Sequence, residues 1–425
     1  MKTTILQIGS TITSRLLAGL LQGAMLVLIA RATSPHDFGL LSIAIGVGMF
    51  AQTALDLGIV TFLLVERASD RGSKLLSGAL AWNSRTSLFL GGVACLAIVA
   101  VSTFSGATTL VLLPLAIWIG AERNAEACLA IVYADGDWIE TAANLVIRRA
   151  ISLALLIALL GLNVQPLLAF SIAWGLASLT GAIIARVRIA SLIDLGDSLS
   201  FSQLLSHTAP YWATTAAMNS NTLDSLVVGA VAGTQQSGLF SISSRLTNPL
   251  RIIPTSVARA ILPLAARRRA SGESSGPLYV LIALTIGSMS FIYILLMLGA
   301  PYFVPRLLGE DFRQAIVPLQ IVLAGLPLAS GVSIFNAVLQ GEGNKVVVSR
   351  IAVICAVLYL VALVPGSIAF GAIGAAATLS LSYTVQLAAL AASFLWFRRK
   401  SCRVTTEKRE SLDVLRGDTV EARQS

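Results

Sequence analysis

Long apolar segments follow one another along almost the whole chain. Hydrophobic residues make up 56% of its 425 residues and charged residues only 12%, about half the charged share of a soluble domain. A helix of roughly 20 residues crosses the apolar core of a bilayer. The sequence therefore predicts an all-α integral membrane protein. We place twelve spans at residues 11–31, 39–64, 76–104, 109–133, 139–160, 167–186, 208–232, 238–266, 278–304, 314–340, 346–365 and 371–397.

Basic residues between the predicted spans set the orientation of the chain. Eighteen of them lie on the side of the two termini, and only Arg31, Arg306 and Arg313 lie on the other. Because basic residues are retained in the cytoplasm, both termini are expected there. The first apolar run could instead be a signal peptide, since Ala30-Arg31-Ala32 resembles a cleavage site. An internal repeat that includes this run assigns it to the first span.

Two similar segments lie 199 residues apart. Gly39-Leu40-Leu41-Ser42-Ile43 opens the second predicted span, and Gly238-Leu239-Phe240-Ser241-Ile242 opens the eighth. Chance similarity between apolar segments is the alternative to a true repeat. The repeat predicts an N-terminal six-helix half at 1–199 and a C-terminal six-helix half at 200–400. Six is an even number, so both halves keep one orientation, related by a pseudo-two-fold axis along the membrane normal. The polar cytoplasmic tail, 401–425, is predicted to be disordered.

Three arginines occupy one face of the eighth predicted span. At about 100° per residue, Arg245, Arg251 and Arg259 share an arc of roughly 140°. Ser241 and Asn248 lie in the same arc. One arginine at mid-membrane costs at least about 3 kcal/mol, so we interpret this stripe as the wall of a water-filled cationic cavity. The alternative is an amphipathic helix lying on the membrane surface.

Further arginines fall inside other predicted spans. All nine basic residues within the spans are arginines, whose planar guanidinium binds phosphate oxygens in pairs of hydrogen bonds. The predicted cavity therefore suits an anion such as a pyrophosphate. Besides the stripe, the candidate headgroup ligands are Arg123, Arg148 and Arg149. Each of these three could instead pair with an acid, Arg123 with Glu122 or Glu126.

Polar and acidic side chains complete the predicted cavity. Asn221, in the polar middle of the seventh span, joins Ser241 and Asn248 as a lining residue. Asp56 and Asp224 could bind a coupling proton or sodium ion, or could neutralise an arginine. No other cofactor, metal or catalytic group is expected. The two histidines and four cysteines lack metal-site spacing, and no acid, base and nucleophile cluster together.

Short motifs near the span ends resemble those of one transporter family. They run almost end to end and are Phe38-Gly39-Leu40, Asp56-Leu57-Gly58, Gly238-Leu239-Phe240-Ser241 with Arg245, Pro263, Leu307-Leu308-Gly309-Glu310-Asp311-Phe312, Leu339-Gln340-Gly341-Glu342-Gly343 and Phe370-Gly371-Ala372-Ile373-Gly374-Ala375-Ala376. In order and spacing the chain resembles a Wzx-type oligosaccharide-lipid flippase. This family belongs to the multidrug/oligosaccharidyl-lipid/polysaccharide superfamily and includes bacterial O-antigen and capsular repeat-unit translocases.

The resemblance implies a substrate, a place and a mechanism. In the bacterial cytoplasmic (inner) membrane, an undecaprenyl-pyrophosphate oligosaccharide would enter between the two halves from the cytoplasm. Its headgroup would occupy the cavity while its lipid tail stays in the bilayer, and the halves would then open outward. The implied partners are this lipid-linked oligosaccharide, the bilayer, a polysaccharide polymerase and a chain-length regulator. Nucleic acid is not an expected partner.

Three other functions compete with this interpretation. A multidrug exporter of the same superfamily would need an acidic or aromatic cavity for cationic drugs, whereas this one is predicted to be basic. A peptidoglycan lipid flippase usually resembles a fourteen-span chain. A membrane-embedded polysaccharide polymerase or glycosyltransferase is the alternative from a different class. Such enzymes tend to carry a large external loop, and the longest outward connection here is 305–313.

Overall fold

The protein is described here by a computed structural model. Its backbone is described over residues 2–105, 107–193, 199–218, 220–271, 276–342 and 344–421. Side chains are described over 13–103, 109–193, 199–209, 211–212, 222–258, 261, 283–342, 344 and 346–397. Within the described backbone the chain is helical almost throughout and contains no strand. The predicted all-α fold is confirmed.

Fourteen α-helices are present in the described backbone. In chain order they are α1 Lys2–Ala32, α2 Pro35–Leu55, α3 Ile59–Ser69, α4 Leu75–Ser105, α5 Leu115–Ala134, α6 Trp138–Gly161, α7 Pro166–Ala190, α8 Phe201–Met218, α9 Asp224–Ala232, α10 Thr234–Leu246, α11 Asn248–Ser271, α12 Gly276–Leu308, α13 Ile316–Gly341 and α14 Lys345–Glu421. Short 3-10 helices cover Ala107–Leu112, Ser220–Leu223 and Glu310–Ala315.

Eight helical stretches of the described residues are long and apolar enough to cross a membrane. They lie in α1, α2, α4, α6, α7, α12, α13 and α14. The chain is therefore a multi-pass membrane protein. α5 is not among these eight, because Glu122, Arg123 and Glu126 interrupt its apolar sequence. The stretch in α14 is 52 residues long and bends at Gly371, whose φ of 55° and ψ of −133° are not helical.

The second and the eighth predicted spans are broken rather than continuous. α2 ends before Asp56, and the chain takes positive φ at Leu57 (52°) and Gly58 (75°) before α3 begins. The eighth span divides at Thr247 into α10 and α11. Pro249 is the second residue of α11; it lacks the N–H that would continue a helix from the preceding turn.

The seventh predicted span is interrupted in the same way. α8 ends at Met218, a 3-10 helix covers Ser220–Leu223, and α9 begins at Asp224. Serine and asparagine side chains compete for backbone hydrogen bonds and so favour such interruptions. The break places Asp224 at a helix start within the predicted span.

Helices close in sequence pack mainly with one another. α5 packs against α4 and α7, and α6 packs against α1 and α7. In the second part of the chain, α13 packs against α11, α12 and α14. Contacts between the two parts involve chiefly α2 with α9 and α10, and α1 with α11. The boundaries 1–199, 200–400 and 401–425 stay a prediction.

The tail continues as a helix, although its composition predicts disorder. α14 extends to Glu421, beyond the last described side chain at residue 397. No glycine or proline interrupts residues 398–416, so the local sequence permits the helix to continue.

The two repeat motifs contact each other where α2 crosses α10. A Cβ atom on Gly39 would overlap the carbonyl oxygen of Thr234, and one on Gly238 would overlap that of Pro35. The two contacts are equivalent, since Pro35 and Thr234 are also 199 residues apart. Only glycine permits so close an approach of two backbones. The predicted orientation would place this contact toward the external side of the membrane.

Candidate functional site

A polar cavity of about 200 Å³ lies beside this glycine contact, between α2, α9, α10, α11 and α14. Its lining residues come from both parts of the chain and include two arginines and one carboxylate. They are Gly46, Met49, Thr222, Asp224, Ser244, Arg245, Asn248, Arg251, Leu379 and Tyr383. Two of the three arginines of the predicted stripe, Arg245 and Arg251, therefore line the same cavity.

Arg245 lies in the last turn of α10 and reaches across to α2. Its Nη2 donates a hydrogen bond to the carbonyl oxygen of Ser42, 3.2 Å away. The same oxygen accepts a hydrogen bond from Ser225 Oγ at 3.2 Å. One contact thus joins α2, α9 and α10 at the cavity wall. The remaining guanidinium N–H groups have no carboxylate within ion-pair distance among the described residues.

Arg251 is held by a tyrosine from α14. Its Nη2 donates to Tyr383 Oη at 2.5 Å, and its guanidinium carbon lies 5.2 Å from the centroid of the same ring. Its Nε is buried and has no hydrogen-bond partner. A cation held against an aromatic face keeps its orientation, so Arg251 presents a fixed charge to the cavity.

Asp224 supplies the negative charge opposite these two arginines. The backbone N–H of Ser225 donates to its carboxylate at 2.6 Å. Arg245 and Arg251 both act electrostatically on the carboxylate, although neither lies within the 4 Å of an ion pair. The hydroxyl of Tyr359 faces the carboxylate without a hydrogen bond of ordinary geometry. Two cations therefore share one acid, and the cavity keeps a net positive charge.

The other predicted lining residues have different positions. Asn248 lines the cavity, whereas Ser241 is buried outside the lining. The hydroxyl of Ser241 has no hydrogen-bond partner. The side chains of Asn221 and Arg259 lie outside the described residues.

Arg148 and Arg149 belong to a second, separate cluster between α5, α6 and α7. Arg148 forms ion pairs with Glu122 at 3.0 Å and Glu126 at 2.7 Å, and Arg149 pairs with Glu122 at 2.9 Å. Ser178 Oγ donates to the other oxygen of Glu122 at 2.7 Å. Arg148 is only 1% exposed. These contacts support the structural alternative for both arginines; their binding of a headgroup stays a prediction.

Arg123 does not pair with Glu122 or Glu126, its neighbours on α5. Its side chain is 4% exposed, and none of its three guanidinium nitrogens has a hydrogen-bond partner among the residues that the structure describes. The acid that acts on it electrostatically is Asp56, in the break between α2 and α3. Glu122 and Glu126 both form ion pairs with Arg148 instead, so the acid that acts on Arg123 comes from another element.

The sequence did not predict the aromatic side of the cavity. Tyr383 lines the cavity and contacts Arg251, and Tyr359 faces Asp224; both tyrosines come from α14, more than 100 residues from these partners. A tyrosine in an apolar span usually has a hydrogen-bond partner when it is buried. The sequence thus indicates that such a tyrosine forms a hydrogen bond, but it does not identify the residue that forms it with the tyrosine.

The arrangement suits binding of an anion and offers little room in this conformation. Two guanidinium groups with free N–H donors match phosphate oxygens. The volume of about 200 Å³ is below the roughly 300–1,000 Å³ of ordinary ligand pockets. A large headgroup would therefore require the helices around the cavity to move apart.

Comparison with known proteins identifies a family and a fold. A family profile described as polysaccharide biosynthesis protein matches residues 28–317. Comparison with curated protein sequences finds no significant match. Among solved structures, an inward-facing multidrug resistance MATE family transporter of the MOP superfamily is similar, with a TM-score of 0.68 and 15% identity over 90% of this chain and 94% of that one.

Two further solved structures share the fold. The lipid II flippase MurJ in an inward closed conformation matches with a TM-score of 0.66 and 16% identity, over 92% of this chain and 87% of that one. A MOP superfamily transporter from Pyrococcus furiosus, described by a binding pocket of reverse polarity, matches with a TM-score of 0.54 and 15% identity, over 94% of both chains.

Proposed function

We propose, from the premise that this chain belongs to the polysaccharide biosynthesis protein family, that it translocates an undecaprenyl-pyrophosphate-linked oligosaccharide repeat unit. The product would serve O-antigen, capsule or exopolysaccharide assembly at the bacterial inner membrane, with both termini in the cytoplasm. One observation carries the proposal: Arg245 and Arg251 line one cavity opposite a single carboxylate, that of Asp224. A large polar headgroup cannot cross apolar lipid unaided, and this cavity offers it an anion site.

Twelve spans in two related halves form the architecture of this proposal. α2 with α3, α8 with α9 and α10 with α11 would each make one interrupted crossing. α14 would make two crossings, divided at Gly371, where the sequence predicts the last span to begin. The reciprocal contacts of Gly39 and Gly238 support the pseudo-two-fold axis.

Alternating access would involve the glycine contact. The contact between the repeat motifs would close the external side, and this conformation would then exchange substrate with the cytoplasm. The pyrophosphate would bind Arg245 and Arg251 while the lipid tail stays in the bilayer. Separation of α2 from α10 would open the cavity outward. The protein would act as a non-enzymatic transporter, beside a polysaccharide polymerase and a chain-length regulator.

Asp224 is the stronger of the two candidates for ion coupling. It lies in the cavity with both arginines, whereas Asp56 faces Arg123 in a different cluster. A proton or sodium ion bound at Asp224 would add positive charge where the substrate binds. Alternatively, Asp224 and Asp56 would each serve only to neutralise an arginine. A multidrug exporter remains less favoured because the cavity is net basic.

The test is to delete the gene and determine which membrane face holds the lipid-linked repeat unit. Trapping on the cytoplasmic face, relieved by the wild-type gene and not by Arg245→Gln, is the expected result. Arg350→Gln is the matched control, since Arg350 is an exposed arginine at the start of α14 and should restore transport fully. Arrival of unpolymerised units at the external face would instead make the protein an enzyme of chain assembly.

A further inference from the structure

A long groove runs along the outer surface of α5, between α4 and α7. Its volume is about 780 Å³, well above that of the arginine cavity. Small residues line it, among them Gly92 of α4 and Ala121 of α5. A Cβ atom on Gly92 would meet no atom within 4 Å. The groove is thus an apolar depression in the surface that no side chain of the protein fills.

The groove matches the length of one lipid chain in one leaflet. On α4 its lining extends from Ser84 to Cys95, which corresponds to about 17 Å of helix. That is roughly half of the 30 Å thickness of a bilayer's hydrocarbon core. Leu88 and Ile183, at 79% and 54% exposed, form parts of its two rims. These apolar rims face the bilayer.

The polar residues of the groove lie together at one end. Ser84, Asn124 and Arg186 form this end, which the predicted orientation places toward the cytoplasm. Arg186 Nη1 donates to Ser84 Oγ at 3.5 Å, and Ser84 Oγ donates to Asn124 Oδ1 at 3.2 Å. Among the described residues no carboxylate lies within ion-pair distance of Arg186. Arg186 also interacts with the thiol of Cys128, so the groove ends in a cation that no described carboxylate neutralises.

We propose that this groove binds an anionic phospholipid, with one acyl chain along α5 and its phosphate on Arg186. The apolar length and the single cation at one end complement a chain and a phosphate. This site is separate from the arginine cavity, whose lining comes from α2, α9, α10, α11 and α14. Glu122 and Arg123 are buried in the fold, while Ala121 and Asn124 line the groove on the surface of the same helix.

A membrane phospholipid is favoured over the tail of a transported lipid. A transported lipid bound in the arginine cavity would have its phosphate groups at Arg245 and Arg251, on other helices than Arg186. One phosphate end cannot occupy both places. This choice of occupant rests on the proposed function, whereas the groove and its terminal arginine do not depend on it.

The experiment uses phosphatidylglycerol and phosphatidylcholine that carry the same photoactivatable diazirine in one acyl chain. Full-length protein in nanodiscs is crosslinked with each lipid, and the labelled residues are mapped by mass spectrometry. Labelling within 84–95 and 113–124 should be about two- to tenfold stronger with phosphatidylglycerol. Both lipids carry a phosphate, but the choline ammonium offsets its charge in phosphatidylcholine, whereas phosphatidylglycerol keeps a net negative charge beside Arg186.

Variants distinguish the contribution of the Arg186 charge to lipid binding from that of the open groove. Arg186→Gln should reduce phosphatidylglycerol labelling to the phosphatidylcholine level, and Arg186→Lys should keep most of it. Gly92→Leu should block labelling by both lipids, because the leucine side chain would fill the groove. The controls are Arg350→Gln and Gly287→Leu, since Gly287 is a lipid-facing helical glycine that also has no atom within 4 Å of its Cβ position. Both should label as wild type.

Two results would overturn the proposal. One is equal labelling by the two lipids, or a preference for phosphatidylglycerol that survives Arg186→Gln. The other is displacement of phosphatidylglycerol by undecaprenyl phosphate at a lower concentration than by unlabelled phosphatidylglycerol. That second result would assign the groove to a polyprenyl tail.

Discussion

Gly39 and Gly238 occupy equivalent positions of the internal repeat and lie against each other where α2 crosses α10. A Cβ atom on Gly39 would lie 3.1 Å from the backbone nitrogen of Gly238, and one on Gly238 would lie 3.0 Å from that of Gly39. The same two helices also line the arginine cavity, through Gly46 of α2 and Ser244 of α10. We predict that access to the cavity from the side of the glycine contact requires the two glycines to separate.

Replacement of Gly238 by alanine should weaken the closed conformation. Overpacking of a tight contact costs about 1–3 kcal/mol, and the new methyl group would meet the carbonyl of Pro35. The measurement is labelling of Ser244→Cys, in a background without native cysteines, by a membrane-impermeant maleimide added outside. Labelling should increase in Gly238→Ala. The matched substitution Gly287→Ala should leave it unchanged, and an unchanged Gly238→Ala would contradict the gating role.

Loss of Arg148 should destabilise the fold strongly. Removal of one partner from a buried ion pair costs about 3–5 kcal/mol because the other charge is left buried. Arg148→Met would leave Glu122 and Glu126 with only Arg149. Thermal unfolding in detergent measures the loss. The exposed pair of Arg313 and Glu310 is the control, since Arg313→Ala should cost at most about 1 kcal/mol. Equal losses in the two variants would refute a structural role for Arg148.

Neutralisation of Asp224 should increase the affinity of the cavity for anions. Asp224→Asn removes the single carboxylate that acts on Arg245 and Arg251. Binding of inorganic pyrophosphate, measured by calorimetry, should strengthen by about two- to tenfold at low salt, while transport continues. Asp224→Glu should resemble the wild type. If Asp224→Asn instead abolishes transport together with its dependence on protons or sodium, then Asp224 is a coupling residue rather than a counter-charge.

Removal of the Tyr383 hydroxyl should impair transport without unfolding the protein. Tyr383→Phe keeps the ring beside Arg251 but loses the acceptor of its hydrogen bond. We expect a transport rate lower by about three- to tenfold and an unchanged melting temperature. Tyr302 and Arg306 form a similar contact on the exposed surface of α12, at 3.6 Å from ring centroid to guanidinium carbon. Tyr302→Phe should have no effect on transport; a matching loss there would rule out a specific role for Tyr383.

The sequence predicted the helices and the arginine face well, because both depend on local patterns. Apolar runs identify membrane helices directly, and the polar arc of the eighth span brought Arg245, Asn248 and Arg251 to one cavity. The break at Gly58 was missed, whereas Pro249 had indicated a kink close to the break at Thr247. Composition alone does not show where a polar residue interrupts a helix and where it merely faces a cavity.

Pairing between distant elements could not be predicted. Arg123 is followed on α5 by one acid and preceded by another, yet Asp56 from the α2–α3 break is its counter-charge. Asp224 meets Arg245 only because α9 packs beside α10. Which acid faces which arginine depends on helix packing, and a single sequence carries little information about it.

The most direct test of the central claim is translocation by purified protein. A fluorescent undecaprenyl-pyrophosphate oligosaccharide is placed in both leaflets of proteoliposomes, and an impermeant reductant quenches the outer leaflet. Wild-type protein should make the inner pool accessible, and Arg245→Gln with Arg251→Gln should slow this at least about tenfold. Arg245→Lys should retain part of the rate, since lysine keeps the positive charge but cannot form the bidentate hydrogen bonds of a guanidinium. Translocation by the double glutamine variant at the wild-type rate would contradict passage through the arginine cavity.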